Sequence, residues 1–113
     1  MDHEETLRRL AIRDDAYVES LLGHDAENVS ASQLDPKTHA LVRLGALVAI
    51  DAAPPSYSWT IESGMRCGAT AEEIVGVLVA VMPAIGSARV VSAAPKLGLA
   101  LGYDVDHALE EPP

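Results

Sequence analysis

Cysteine is almost absent from this chain and phenylalanine is missing altogether. The lone Cys67 excludes an internal disulfide and any Cys-x-x-Cys redox or zinc motif. Only Tyr17, Tyr57, Trp59 and Tyr103 are aromatic, so the core has to be aliphatic, a composition that suits helix packing better than a sheet. Basic residues are scarce as well: eight Lys and Arg stand against 17 Asp and Glu, a formal net charge of −9. The excess lies at the ends. Residues 1–35 hold nine acids against three bases, residues 36–102 four against five, and residues 103–113 four against none. That leaves no basic face for nucleic acid and no basic patch for an anionic membrane; the acidic ends read as solubilising flanks of an apolar centre. Long apolar runs are lacking too. The uncharged stretch 74–88 is about five residues short of a membrane span and contains Pro83 and two glycines. The polar, acidic opening Met-Asp-His-Glu-Glu is unlike a signal peptide, so a cytoplasmic protein is expected.

What is present reads as helix after helix. By length the 113 residues form one domain, with N-terminal helices and a loop over 1–33, a core over 34–102 and an acidic tail over 103–113. Leu7, Leu10 and Ala11 give residues 3–13 an amphipathic helix. Asp14 or Asp15 caps a second segment through Tyr17, Val18, Leu21 and Leu22, which Gly23 stops. Residues 24–33 show no period and read as a loop, with His24 solvated. Asp35 and Pro36 open a central helix running to about Asp51, in which Arg43 is the only charge between 40 and 50. Pro54 and Pro55 break the chain before a helix over 56–67. Gly68 suits the left-handed residue past that helix, and Thr70 with Glu73 forms a capping box for the next one, over 71–85. A last helix starts near Ser87, is kinked or restarted at Pro95 and ends at Gly102; the tail beyond is expected to fray. The expectation is an all-α fold of about six helices. Two central helices that are apolar on every side have to be surrounded, and the rest of so short a chain cannot wrap both, so other subunits are expected to cover them.

Several residues are candidates for chemistry. Ser56, Thr60, Ser63 and Cys67 fall on one face of the 56–67 helix, where small polar side chains either line a cavity or permit close helix packing; Tyr57, Ile61 and Met65 mark the core side. Cys67 sits by the helix C-terminus, where the dipole disfavours a thiolate and Arg66 offsets this in part, so a packed, inert thiol is expected. Arg43 and Arg89 lie inside apolar segments. Each needs a carboxylate partner, for which Asp51 and Glu62 are available, or a ligand such as the carboxylate of a small anionic substrate. His39, four residues before Arg43, is the one plausible base near neutral pH, although a first-turn position usually means exposure. No metal and no cofactor is expected.

The order of these elements resembles the carboxymuconolactone decarboxylase and alkylhydroperoxidase-like superfamily over residues 7–102. The resemblance is carried by Leu34-Asp35-Pro36-Lys37-Thr38 with Leu41-Val42-Arg43-Leu44, by Gly68-Ala69-Thr70-x-Glu72-Glu73-Ile74, and by Met82-Pro83-Ala84-Ile85-Gly86-Ser87-Ala88-Arg89. It implies an alkylhydroperoxidase-like helical fold and a homo-oligomer, a homotrimer or homohexamer. The peroxidase branch carries a Cys-x-x-Cys pair followed by a His, and the decarboxylase branch keeps that His. Here those positions fall near Ala53, at Ser56 and at Thr60, and the glutamate of the preceding helix falls at Ala40 or Leu41. Glu62 points about 200° away from the Thr60 position and does not replace the His. A non-redox member is therefore expected, binding or transforming a small organic acid or lactone between the central helices, lyase-like if it is an enzyme. In that reading Arg43 or Arg89 takes the anion, Ser56, Tyr57 and Thr60 orient it, Ser63 and Cys67 complete the lining, and His39 is the base. The alternatives are an inactive oligomeric scaffold acting through its surface and, less favoured, a thiol-dependent alkylhydroperoxidase.

Overall fold

The computed structural model describes residues 1–110; residues 111–113, the end of the acidic tail, lie outside the described part. Eight helices and no strand occur among the described residues: α1 (His3–Ala11), α2 (Asp15–Gly23), α3 (Asp25–Ser32), α4 (Pro36–Ala49), α5 (Pro54–Arg66), α6 (Ala71–Ile85), α7 (Ser87–Ala100) and α8 (Val105–Glu110). The fold is all-α, with two helices more than expected. Both extra helices replace segments read as irregular. The loop expected over 24–33 is α3, which has no side-chain N-cap and is tied to α2 by Asn28 Nδ2 donating to the Leu21 carbonyl, 2.9 Å. The tail expected to fray contains α8, opened by the Asp104 carboxylate accepting from the His107 N–H, 3.0 Å.

Two compact units divide the chain, Met1–Asp35 and the residues from Pro36 on. The first is α1, α2 and α3, none of which buries a residue completely. Its order is largely local. Asp2 caps α1 by accepting from the Glu5 N–H, Asp14 caps α2 by accepting from the Tyr17 N–H, and acids lead and bases close α1 as its dipole favours. Glu5 accepts from Arg8 at 2.8 Å and Arg9 at 2.9 Å, and those bonds hold its carboxyl down to about 2.

The second unit owns the core. Leu44 and Val48 of α4, Tyr57 and Ile61 of α5, Ile74 and Leu78 of α6, and Val90, Ala93 and Leu97 of α7 meet in one cluster, joined by Ala69 from the α5–α6 junction. Helix α4 packs against α5, α6 and α7, and α8 against α7. Small residues set two of these approaches: a Cβ on Gly64 would stand 3.3 Å from the Ala40 Cβ, and one on Gly45 would stand 3.3 Å from Val81. The junction after α5 forms as its chemistry dictates, with Gly68 at φ 98° and Thr70 and Glu73 in a reciprocal capping box. Lys37 reaches Glu73 at 3.0 Å, joining the first turns of α4 and α6. Helix α7 runs through Pro95 as one helix.

The outer faces of α4 and α6 are uncovered and apolar. Val42 is 57% exposed, Ile50, just past α4, 70% and Val79 67%, with Ala46, Val75, Gly76, Ala80 and Met82 also exposed.

A polar hub fastens the end of α4 to α7. Asp51, in a left-handed conformation at φ 55°, accepts from Ser92 Oγ at 2.7 Å and Lys96 Nζ at 3.1 Å and pairs with Arg89 at 3.5 Å. The Ser92 bond, then the Lys96 bond, hold its carboxyl below the ordinary value of 3.8. A depressed carboxyl contributes stability that is complete above its unfolded value and disappears as pH falls through the folded one. Acid titration of unfolding is therefore expected to show a steeper loss below about pH 4 in the wild type than in Asp51→Asn, which tolerates the same backbone conformation. Parallel acid limbs would contradict the assignment.

Candidate functional site

Helices α4 and α5 are joined by a short turn and run antiparallel, as their cross-contacts require. Tyr57, near the start of α5, donates its hydroxyl to the carbonyl of Leu47, near the end of α4, at 3.2 Å, while Gly64 lies against Ala40 at the other end. Pro54 and Pro55 occupy the first turn of α5, where no intrahelical N–H bond is lost. Helical spacing then sets His39, Arg43 and Leu47 along one ridge of α4, and Ser56, Thr60 and Ser63 along one stripe of α5.

Between these elements lies an open concavity of about 320 Å³, lined by Arg43, Leu47, Pro55, Ser56, Trp59 and Thr60. The Arg43 guanidinium carbon stands 5.7 Å from the centre of the Trp59 ring, within cation–π range. Thr60 is buried, Ser56 and Arg43 are exposed, and Trp59 is 52% exposed. Two hydroxyls and one fixed cation thus share an otherwise apolar recess, an arrangement that can hold a small carboxylate by paired N–H donors. Two other concavities are as large or larger. One, of about 490 Å³, is lined by Ser58, Ile61, Glu62, Met65, Arg66 and Ala100, and its charges face each other at 3.9 Å; the other, of about 460 Å³, runs along α6 past Val75, Gly76 and Val79. Neither joins a hydroxyl pair to a cation in this way.

Of the residues singled out from sequence, the concavity brings together Arg43, Ser56 and Thr60. His39 stands one turn from Arg43 on the same helix; it is buried, where a first-turn position was expected to be exposed. Tyr57 does not line the recess. Its ring is fully buried in the core, where burial raises the hydroxyl above its ordinary value. Ser63 is half-buried and Cys67 exposed, beyond the lining. Arg89 belongs to the Asp51 hub, which Asp51 was expected to supply for one of the two arginines. Both arginines lie at helix edges, Arg43 exposed and Arg89 51% so, rather than inside apolar surroundings. Met65, read as a core residue, is 46% exposed. Trp59, not among the residues singled out from sequence, also lines the recess. The signal for it was a single tryptophan in a chain without phenylalanine, beside Thr60 in sequence. Among the described residues no three His, Cys, Asp or Glu side chains gather as a metal-binding set, and no helix is long and apolar enough to cross a membrane.

The profile of the carboxymuconolactone decarboxylase family matches residues 15–97. The chain belongs to that family. Neither the curated proteins nor the solved structures give a match. Residues 15–97 of this family member take in α4, α5 and α6 whole, and thus every residue lining the α4–α5 recess.

Proposed function

We propose that this carboxymuconolactone decarboxylase family member binds or transforms a small organic acid or lactone in the α4–α5 recess without redox chemistry. The observation that carries the reading is the Arg43 guanidinium beside the Ser56 and Thr60 hydroxyls in an otherwise apolar recess. Arg43 receives the carboxylate, the two hydroxyls orient the rest of the molecule, and Tyr57 holds the α4 backbone behind them. If turnover occurs it is lyase-like, with His39, one turn along α4, as the base. Thiol-dependent peroxide reduction is disfavoured, since Cys67 has no second cysteine in the chain.

The protein acts in the cytoplasm as a homo-oligomer, a trimer or hexamer, assembled through the uncovered faces of α4 and α6. Those faces are mainly apolar, with Arg43 beside Val42 on α4 and Glu72 at one end of α6 as their charges, so they are where copies of a chain with net charge −9 can approach with little repulsion. The same exposed surface favours a second reading, an oligomeric scaffold without catalysis.

Thermal unfolding against a panel of lactones, dicarboxylates and keto acids separates the two. A ligand at about 100 times its dissociation constant stabilises by roughly 2.7 kcal/mol, a rise on the order of 10 °C in a domain of this size. The rise is expected to vanish in Arg43→Ala and to survive in Arg89→Ala, whose arginine serves the Asp51 hub. A flat response across the panel leaves the scaffold reading.

A further inference from the structure

We propose that the ligand of the α4–α5 recess is a flat aromatic carboxylate, with Trp59 as the residue that selects for the ring. This inference rests on the reading of the recess as a small-acid site and adds the chemical class. The recess has two kinds of apolar wall. Leu47 and Pro55 offer aliphatic surface, which accepts any apolar body of suitable size. Trp59 offers a plane. It is the one tryptophan in a chain that has no phenylalanine, and it is half-exposed on the lining of the recess instead of in the core, which is built from Tyr57 and aliphatic side chains.

The neighbouring cation gives that plane a direction. The Arg43 guanidinium lies 5.7 Å from the indole centre. A guanidinium that stacks on a ring engages its face, while its N–H donors point outward in its own plane, where a carboxylate meets them. An acid whose carboxylate is coplanar with its ring can meet these donors while the ring lies along the indole in an offset stack. A saturated ring of the same size carries its carboxylate on a puckered frame and has no π-face, so it loses the stack while keeping the ion pair. The Ser56 and Thr60 hydroxyls stand on the same lining to meet polar substituents of the ring. A volume of about 320 Å³ suits an acid with a single ring.

The test uses the full-length protein with benzoate and cyclohexanecarboxylate, which have the same charge and nearly the same size. Calorimetric titration is run on the wild type, Trp59→Leu, Trp59→Phe and Arg43→Gln, and fluorescence of the single tryptophan is followed on the wild type. Benzoate is expected to bind roughly tenfold more tightly than cyclohexanecarboxylate and to quench Trp59 emission. Trp59→Leu is expected to erase that preference while leaving the affinity for cyclohexanecarboxylate within about twofold; Trp59→Phe keeps part of the preference, and Arg43→Gln weakens both acids. Equal binding of the two acids by the wild type, or a preference that survives Trp59→Leu, overturns the aromatic-acid inference and leaves the small-acid reading standing. Failure of these acids and of the broader acid and lactone panel to bind removes both.

Discussion

Tyr57→Ala is expected to remove about 3–5 kcal/mol of stability, a large share of the 5–15 kcal/mol that domains of this kind possess. The ring is fully buried where α4, α5 and α7 meet, among Leu44, Val48, Ile61 and Leu97, and it is the only aromatic side chain in that cluster. No neighbour is large enough to fill the space, so a cavity term adds to the lost transfer energy. Tyr57→Phe isolates the hydroxyl. The Leu47 carbonyl that accepts it also accepts from the Ala52 N–H at 3.0 Å, so removing the hydroxyl leaves that carbonyl bonded, and the expected cost is about 1 kcal/mol or less. Denaturant unfolding at fixed protein concentration checks both. A loss below about 1 kcal/mol in Tyr57→Ala would mean that the ring does not anchor the α4–α5 seam.

On the proposed assembly through α4 and α6, Val79→Glu is expected to leave monomers of 11.9 kDa. Val79 is 67% exposed on the outer face of α6, flanked by Val75, Gly76 and Met82. In an isolated subunit the substitution is mild, since glutamate is a good helix former and faces water. In an assembly that covers α6 it buries an unpaired carboxylate in every copy, a cost of several kcal/mol for each. Light scattering after gel filtration reads the result directly. The wild type is expected at three or six times the chain mass, and Ser58→Glu, on the outer side of α5, is expected to leave the assembly intact. A wild type that runs as a monomer would contradict the assembly, and with it the argument from the uncovered faces.

The elements legible in the sequence are those whose signals are local. Pro36, Gly68 and the Thr70–Glu73 box act within a few residues, and the structure starts α4 and α6 where they point; α5 starts at Pro54, two residues before the expected 56, because prolines without an N–H fit the first helical turn as well as a break. Helix α3 was not legible, because it lacks both a capping side chain and an apolar period and is fixed by Asn28 reaching back to Leu21. The Asp104 cap of α8 was legible in principle, but the acidic tail around it masked the signal. At the site, the face shared by Ser56 and Thr60 followed from helical periodicity. The burial of His39 did not, since it depends on tertiary packing that helical spacing does not carry. Arg43 and Arg89 show the limit of reading charge from a linear run: apolar neighbours in sequence do not make a position interior, and both side chains leave along helix edges, one to the Trp59 ring and the other to Asp51.

The most direct measurement is an amide and indole NMR map of the isotope-labelled protein titrated with millimolar benzoate and succinate. An anion site in the α4–α5 recess predicts shifts centred on Arg43, Ser56, Trp59 with its indole N–H, and Thr60, and their loss in Arg43→Gln. Shifts centred instead on Arg89 and Lys96, or none at concentrations that saturate surface sites, would contradict it.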